Sequence, residues 1–148
     1  MSGPARLSRA AFDDLVAAEL PIAMRLGFRL EALEAGRAIA RAPYQTDFLR
    51  PGGTIAGPIL MALADYAMFA ATLSLVGEVA LAVTTNLNIH FLRKPAPRDV
   101  LAEARILKCG KRLAVSEVVL RSEGEDEPIA HVTGTYSIPP SDAARSRG

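Results

Sequence analysis

Cysteine, histidine and charge imbalance are all scarce in this sequence, and each shortage narrows what the protein can be. Cys109 is the only cysteine, so no disulfide can form within the chain. With no histidine nearby, it reads as a packing residue rather than a nucleophile. The chain has 17 basic and 16 acidic residues, a net charge of +1, which leaves no electrostatic footprint for nucleic acid or an anionic membrane. The two histidines, His90 and His131, have no partner at metal-ligand or catalytic-triad spacing, so no metal site is expected and both read as surface or interface groups. The stretch "RPGGTIAGP" lacks the lysine and the spacing of a phosphate-cradling loop. The opening "MSGPARLSRAAFDDLV" mixes Arg with Asp and has no uninterrupted apolar core. It does not read as a signal peptide, and a cytoplasmic location is the default expectation.

What the chain does have is one long apolar run, "GTIAGPILMALADYAMFAATLSLVG", residues 53–77, with a single carboxylate, Asp65, near its middle. About 20 apolar residues suffice to span a bilayer. This run, however, is diluted with Ala, Thr, Ser and Gly, and neither flank carries the Lys/Arg clusters or aromatic belt that anchor a span. A helix that is hydrophobic on all sides is then one wrapped by its own protein. Pro58 suits the first helical position and Gly77 the exit.

Around that helix the chain of 148 residues reads as a single domain over 1–140, without an internal repeat and with a disordered tail at 141–148. An amphipathic N-terminal helix is expected from about Ser8, a plausible N-cap, to about residue 20, with Pro21 near its end. "FRLEALEAGRAIARAPY" reads as two strands joined by a tight turn at Gly36. "QTDFLRPGGT" reads as the loop that delivers the chain to the long helix. Four strand-like segments follow. In "VTTNLNIHFLR", alternation places Val83, Thr85, Leu87, Ile89 and Phe91 on a core face, with Thr84, Asn86, Asn88 and His90 opposite. "VLAEARILKCG", "RLAVSEVVLRSE" and "EPIAHVTGTYSI" continue as strands separated by "GK" and "GEDE" turns. The expected fold class is α+β, one long apolar helix against an antiparallel sheet of five or six strands.

The helix with its preceding glycine-rich loop, and the segments "ALAD", "LNIHFLRKPA" and "CGKRLAV" that follow, resemble the hotdog-fold thioesterases of the phenylacetate-pathway (PaaI-like) type, from about Pro21 to Pro139. That family's loop and helix start usually read Asn, five residues, His-Gly-Gly, then Asp nine positions after the His. Aligned on Asp65, those positions are occupied here by Arg50, Ala56, Gly57 and Pro58. The Asp and the first Gly are kept, whereas the Asn, the His and the second Gly are not. Asp and His are not paired at the helix, which argues against the hydratase branch of hotdog proteins.

The resemblance implies a fold in which the helix is wrapped by the sheet, a homo-oligomer arranged as a dimer of dimers, and hydrolysis of an acyl-CoA thioester. Coenzyme A is then part of the substrate, with no further cofactor, and no nucleic acid or membrane is expected as a partner. Oxyanion and carboxylate roles would come from different subunits. Free amides at a helix N-terminus can stabilise the charge that develops on a thioester carbonyl, and Gly57 lets an acyl group approach that backbone closely. The Gly57 amide is the expected oxyanion donor, with one fewer donor available because Pro58 has no N–H. Asp65 is the expected general base or nucleophile, and Thr84 occupies the place of a water-orienting hydroxyl. Arg50 could pair with Asp65 or clamp an anionic ligand. Alongside Arg50, Ala56 and Pro58 are expected to flank the substrate. Tyr66 and Phe69, with Leu60, Met61 and Met68, serve either an acyl pocket or the core. Arg93, Lys94, Gly110, Lys111 and Arg112 are candidates for the nucleotide phosphates. The alternative is a non-catalytic acyl-CoA-binding or regulatory hotdog protein, its chemistry lost through Arg50 and Ala56.

Overall fold

A computed structural model describes residues 3–140, and the tail expected to be disordered lies outside them. Helix α1 (Arg9–Glu19) starts at Ser8, whose Oγ accepts the Ala11 N–H at 3.0 Å, the ordinary N-cap arrangement. Phe12, Leu15 and Val16 bury its inner face. It stops at Leu20 because the residue before a proline is disfavoured in the helical region. Pro21 does more than end this helix: it opens a second one, the single-turn α2 (Pro21–Arg25). Strands β1 (Arg29–Glu34) and β2 (Arg37–Ala42) form the expected hairpin. Gly36 takes φ 78° at its turn, a conformation that glycine adopts without a steric penalty.

The segment read as a plain loop contains a 3-10 turn (Thr46–Phe48) and a small ribbon of β3 (Leu49–Arg50) with β4 (Thr54–Ile55). Its reversal uses Gly52 and Gly53, both at positive φ. Helix α3 (Gly57–Val76) follows, with Ala56 at its N-cap and Gly77 at its exit. Gly57, not Pro58, is its first residue, so proline occupies the second position, which also needs no N–H partner. Its length and composition would suffice to cross a membrane, but 67% of the apolar window is buried inside the domain. Ser74 ties its last turn to the first hairpin by accepting the Gly36 N–H at 2.9 Å.

The remaining strands are β5 (Val83–Phe91), β6 (Val100–Cys109), β7 (Leu113–Ser122) and β8 (Pro128–Ser137). With β1 and β2 they make one antiparallel six-stranded sheet in the order β1-β2-β6-β7-β8-β5. It curls around α3, which packs against every one of its strands. Small residues permit the close approach. Ala38, Ala40, Ala102 and Ala104 on the sheet and Ala64, Ala67, Ala70 and Ala71 on the helix are all completely buried. At Gly134 the contact is tighter still, since a Cβ built there would stand 2.6 Å from the Met68 sulfur.

Strand β5 departs from the simple alternation. Its pairing with β8 slips between Thr84 and Asn86, and such a bulge reverses which side chains face inward. Thr84 therefore turns toward α3, while Val83 and Thr85, expected in the core, are exposed. Leu87 and Ile89 keep the inner face, and the Phe91 ring lies over Gly57 although 53% of that residue is exposed. Asn86, Asn88 and His90 face outward as expected. On the same outer face, His131 meets Glu117 at 3.2 Å.

Candidate active site

Asp65 stands two turns into α3, on a helix that offers its carboxylate no other polar side chain to pair with. Its partners come from the sheet. The Tyr136 hydroxyl on β8 donates to Asp65 Oδ1 at 2.8 Å and lies 3.1 Å from the Asp65 main-chain oxygen. The Thr84 hydroxyl on β5, turned inward by the bulge, donates to the same Oδ1. Asp65 Oδ2 accepts no hydrogen bond from any described residue. Burial, and then the nearby Asp65 charge, push the Tyr136 phenol far above its ordinary range. It stays protonated and can only donate toward the carboxylate.

The carboxylate lines a cavity of about 230 Å³. Leu20, Ile22, Ala23 and Leu26, where α1 gives way to α2, form one wall, and Phe28, Tyr66, Phe69 and Tyr136 supply aromatic surface. These rings hold one another. Phe12 meets Tyr66 edge-on at 5.5 Å, Phe28 meets Tyr66 at 5.6 Å, and Phe69 stacks on Tyr136 at 6.0 Å, a geometry that favours rigid packing. Tyr66 and Phe69 thus serve core and cavity together. Burial also raises the Tyr66 phenol, so it too remains neutral.

The N-terminus of α3 is different. Ala56 has no side chain able to cap the helix, and Pro58 has no N–H. The Gly57 amide has no hydrogen-bond partner among the described residues. A Cβ on Gly57 would come within 3.2 Å of the Phe91 ring, so glycine is what lets that ring lie on the backbone. The end opens onto a second hollow of about 390 Å³, lined in part by Arg50, Ile55, Leu60, Phe91, Arg93 and Lys94. Eight residues at 1.5 Å each separate Gly57 from Asp65 by about 12 Å along the helix axis. Within one chain they face different hollows.

Other expected residues divide between the two ends of the sheet. Arg50 lies in the Gly57 hollow and makes no ion pair with Asp65, which removes that alternative within the chain: β3 is too far along the helix axis. Arg93 is ion-paired with Glu127, and Lys94 is exposed beside it. The Gly110-Lys111-Arg112 turn sits at the opposite end of the sheet, because neighbouring Leu113 pairs with Ser137, which also pairs with Val83. There Arg112 Nε donates to the Ile138 carbonyl at 3.0 Å. The five residues considered for nucleotide phosphates therefore form two groups at opposite ends. Leu60 and Met68 are core residues, and Met61 is 41% exposed. Cys109 is half-buried, and burial pushes its thiol up, away from reactivity. No three His, Cys, Asp or Glu side chains cluster as metal ligands among the described residues.

Sequence reasoning missed Tyr136, Phe28 and the wall from Leu20 to Leu26. The inward parity of Tyr136 in "HVTGTYSI" was visible. Its partner was not, since the two residues are 71 positions apart.

A helix enclosed by a curled antiparallel sheet, with one carboxylate held beside an apolar cavity, defines a protein of the hotdog thioesterase fold. The sequence profile of the Thioesterase superfamily matches residues 52–129. A Saccharolobus solfataricus protein assigned as an esterase is 34% identical over 106 residues, 72% of this chain and 74% of that protein. A crystal structure assigned as a thioesterase, from Silicibacter sp. TM1040, is 40% identical with a TM-score of 0.85, covering 95% of this chain and 97% of its own. A mutant of the phenylacetic acid degradation protein PaaI from Thermus thermophilus is 29% identical, with a TM-score of 0.72 over 80% of this chain and 99% of that one. The chain belongs to the Thioesterase superfamily, and its neighbours support thioester hydrolysis as its activity.

Proposed function

We propose that this protein is an acyl-CoA thioesterase whose site is completed by two copies of the chain. One observation carries the reading: the carboxylate beside the apolar cavity and the Gly57 amide, unpartnered among the described residues, stand about 12 Å apart along one helix and open onto separate hollows. Strand β5 is an edge of the sheet, with Val83 56%, Phe91 53% and Leu92 55% exposed. An unpaired apolar edge of this kind invites another strand. Two copies meeting antiparallel along β5, about an axis near its midpoint, would bring the Thr84 end of one strand beside the Phe91 end of the other. Asp65 would then face Gly57 of the partner subunit, a self-complementary two-fold arrangement.

In such a site the acyl group occupies the cavity and the thioester carbonyl oxygen takes the Gly57 N–H of the partner subunit. Asp65 accepts a proton from water as the water oxygen bonds to the carbonyl carbon, and the developing oxyanion is held by the amide and the helix dipole. Collapse breaks the carbon–sulfur bond, and the proton on Asp65 passes to the departing thiolate. The products are a free acid and the coenzyme A thiol. Arg50, Arg93 and Lys94, on the Gly57 side, are placed to meet the anionic part of coenzyme A.

The test is hydrolysis of short-chain, medium-chain and arylacetyl-CoA thioesters by wild type and Asp65→Asn, with the oligomeric state of both measured. Turnover by wild type and its loss in the variant are expected. A folded wild type that hydrolyses none of them, yet is thermally stabilised by one, would replace the enzyme with the acyl-CoA-binding alternative. A monomer would remove the shared site.

A further inference from the structure

We infer that Tyr136 and Thr84 act as a positioning pair that holds one oxygen of Asp65 and reserves the other, Oδ2, for the reaction. The inference rests on the catalytic role proposed for Asp65 and adds which atom acts and what aims it.

The geometry is unequal at the two oxygens. Both hydroxyls lie within hydrogen-bond reach of Oδ1, the Tyr136 hydroxyl closer to it, at 2.8 Å, than to the main-chain oxygen of the same residue, at 3.1 Å, and neither meets Oδ2. A donor anchored to the backbone and the carboxylate of one residue leaves that side chain little freedom to rotate. Tyr136 is itself fixed, 4% exposed, stacked on Phe69 and paired across the sheet with both Thr84 and Ala114. An isolated carboxylate on an apolar helix would instead sample several rotamers, and misplacing a catalytic atom by about 1 Å can cost roughly 10²-fold in rate.

Counting protons sharpens the assignment. A threonine hydroxyl has one proton to give and lone pairs with which to accept. With its proton committed to Oδ1, Thr84 can meet water only as an acceptor. A water molecule giving one hydrogen to Asp65 Oδ2 and the other to Thr84 Oγ1 keeps a lone pair free for the carbonyl carbon. Tyr136 cannot serve as a competing base, because its burial and the neighbouring carboxylate keep it protonated.

The experiment compares wild type, Asp65→Asn, Tyr136→Phe, Thr84→Val and Thr84→Ser as purified oligomers, on the best substrate among acetyl-, octanoyl- and phenylacetyl-CoA. The expected result is that Tyr136→Phe lowers kcat at least about tenfold, with KM within about twofold and the assembly unchanged, as expected for an interaction that matters only in the transition state. Thr84→Ser is expected to restore most of what Thr84→Val loses. If Asp65→Asn is inactive while Tyr136→Phe keeps kcat within about twofold, the pair does not position the base, and the inference fails although the catalytic reading stands. A fall in kcat/KM carried by KM would likewise overturn it in favour of a cavity-wall role. Should Tyr136→Phe not assemble, the two Thr84 variants pose the same question at the same Oδ1, and equal activity in both overturns the pairing. Full activity in Asp65→Asn sinks the catalytic reading and this inference with it.

Discussion

The two hollows along α3, at Asp65 and at Gly57, differ in how far one chain completes them. Around Asp65 the chain supplies α1 and α2 on one side, aromatic rings, and two hydroxyls on the carboxylate. At the Gly57 end an amide has no partner among the described residues, and an apolar ring and leucine stand half-exposed. The Asp65 hollow is the more enclosed of the two and the Gly57 hollow the more open, and the proposed function assigns the missing side of the second to another copy of the chain. Burial around Asp65 tightens electrostatic interactions, whereas the Gly57 side lies more open to water.

The largest expected effect comes from breaking the Asp65 side. Asp65→Asn keeps the shape and an acceptor for Tyr136 but removes the proposed base, and a loss of about 10²- to 10⁴-fold in kcat is expected, read by steady-state hydrolysis alongside light scattering. Breaking the open end follows. Gly57→Pro deletes the amide at a helix position that tolerates proline, provided the Phe91 ring gives way, and a fall of about 10²- to 10³-fold is expected. Mixing the two variants then tests whether the ends cooperate across subunits. Hybrid dimers carry one intact pair, so random mixing should recover about a quarter of wild-type activity. No recovery would mean that both groups act within one chain.

Smaller effects concern stability. Gly134→Ala forces the Met68 thioether and the Asn86 carbonyl away from the new methyl, and a cost of about 1–3 kcal/mol is expected in denaturant melts. Asp99 bears on the open end, because its Oδ1 accepts the Tyr44 N–H at 2.7 Å and its Oδ2 meets Arg41 at 2.9 Å. Those contacts tether the chain just before the loop that leads to Gly57. Burial alone would raise the Asp99 carboxyl, but the Tyr44 amide and the Arg41 guanidinium outweigh it and hold it below its usual range. A folded-state value below the unfolded one adds stability above the ordinary carboxylate range, and this is lost as pH falls through that range. Asp99→Asn should cost roughly 1–3 kcal/mol at neutral pH and flatten the acid side of the stability profile. Hydrogen exchange should show the loosening at Tyr44 before it reaches Asp65.

Much of this was legible in the chain. A 20-residue apolar helix, a glycine exit, a hairpin at Gly36 and four later strands follow from residue spacing and turn chemistry. Asp65 stood out because a lone carboxylate in an apolar helix calls for a partner. Alternation failed at Thr84 and Val83, since a bulge depends on how a strand meets its neighbour and leaves no mark in local periodicity. Arg50 was legible as a candidate anion clamp, but only its place in β3 separated it from Asp65.

The sequence by itself determined the elements, the buried character of α3 and the residues able to carry chemistry, because these depend on propensity, periodicity and side-chain type over short stretches. Tertiary structure alone decided which oxygen of Asp65 is held, that Tyr136 holds it, and that the carboxylate and the free amide open onto separate hollows. Those features arise from contacts between strands and helix far apart in the chain, where register and packing, rather than local preference, set the distances.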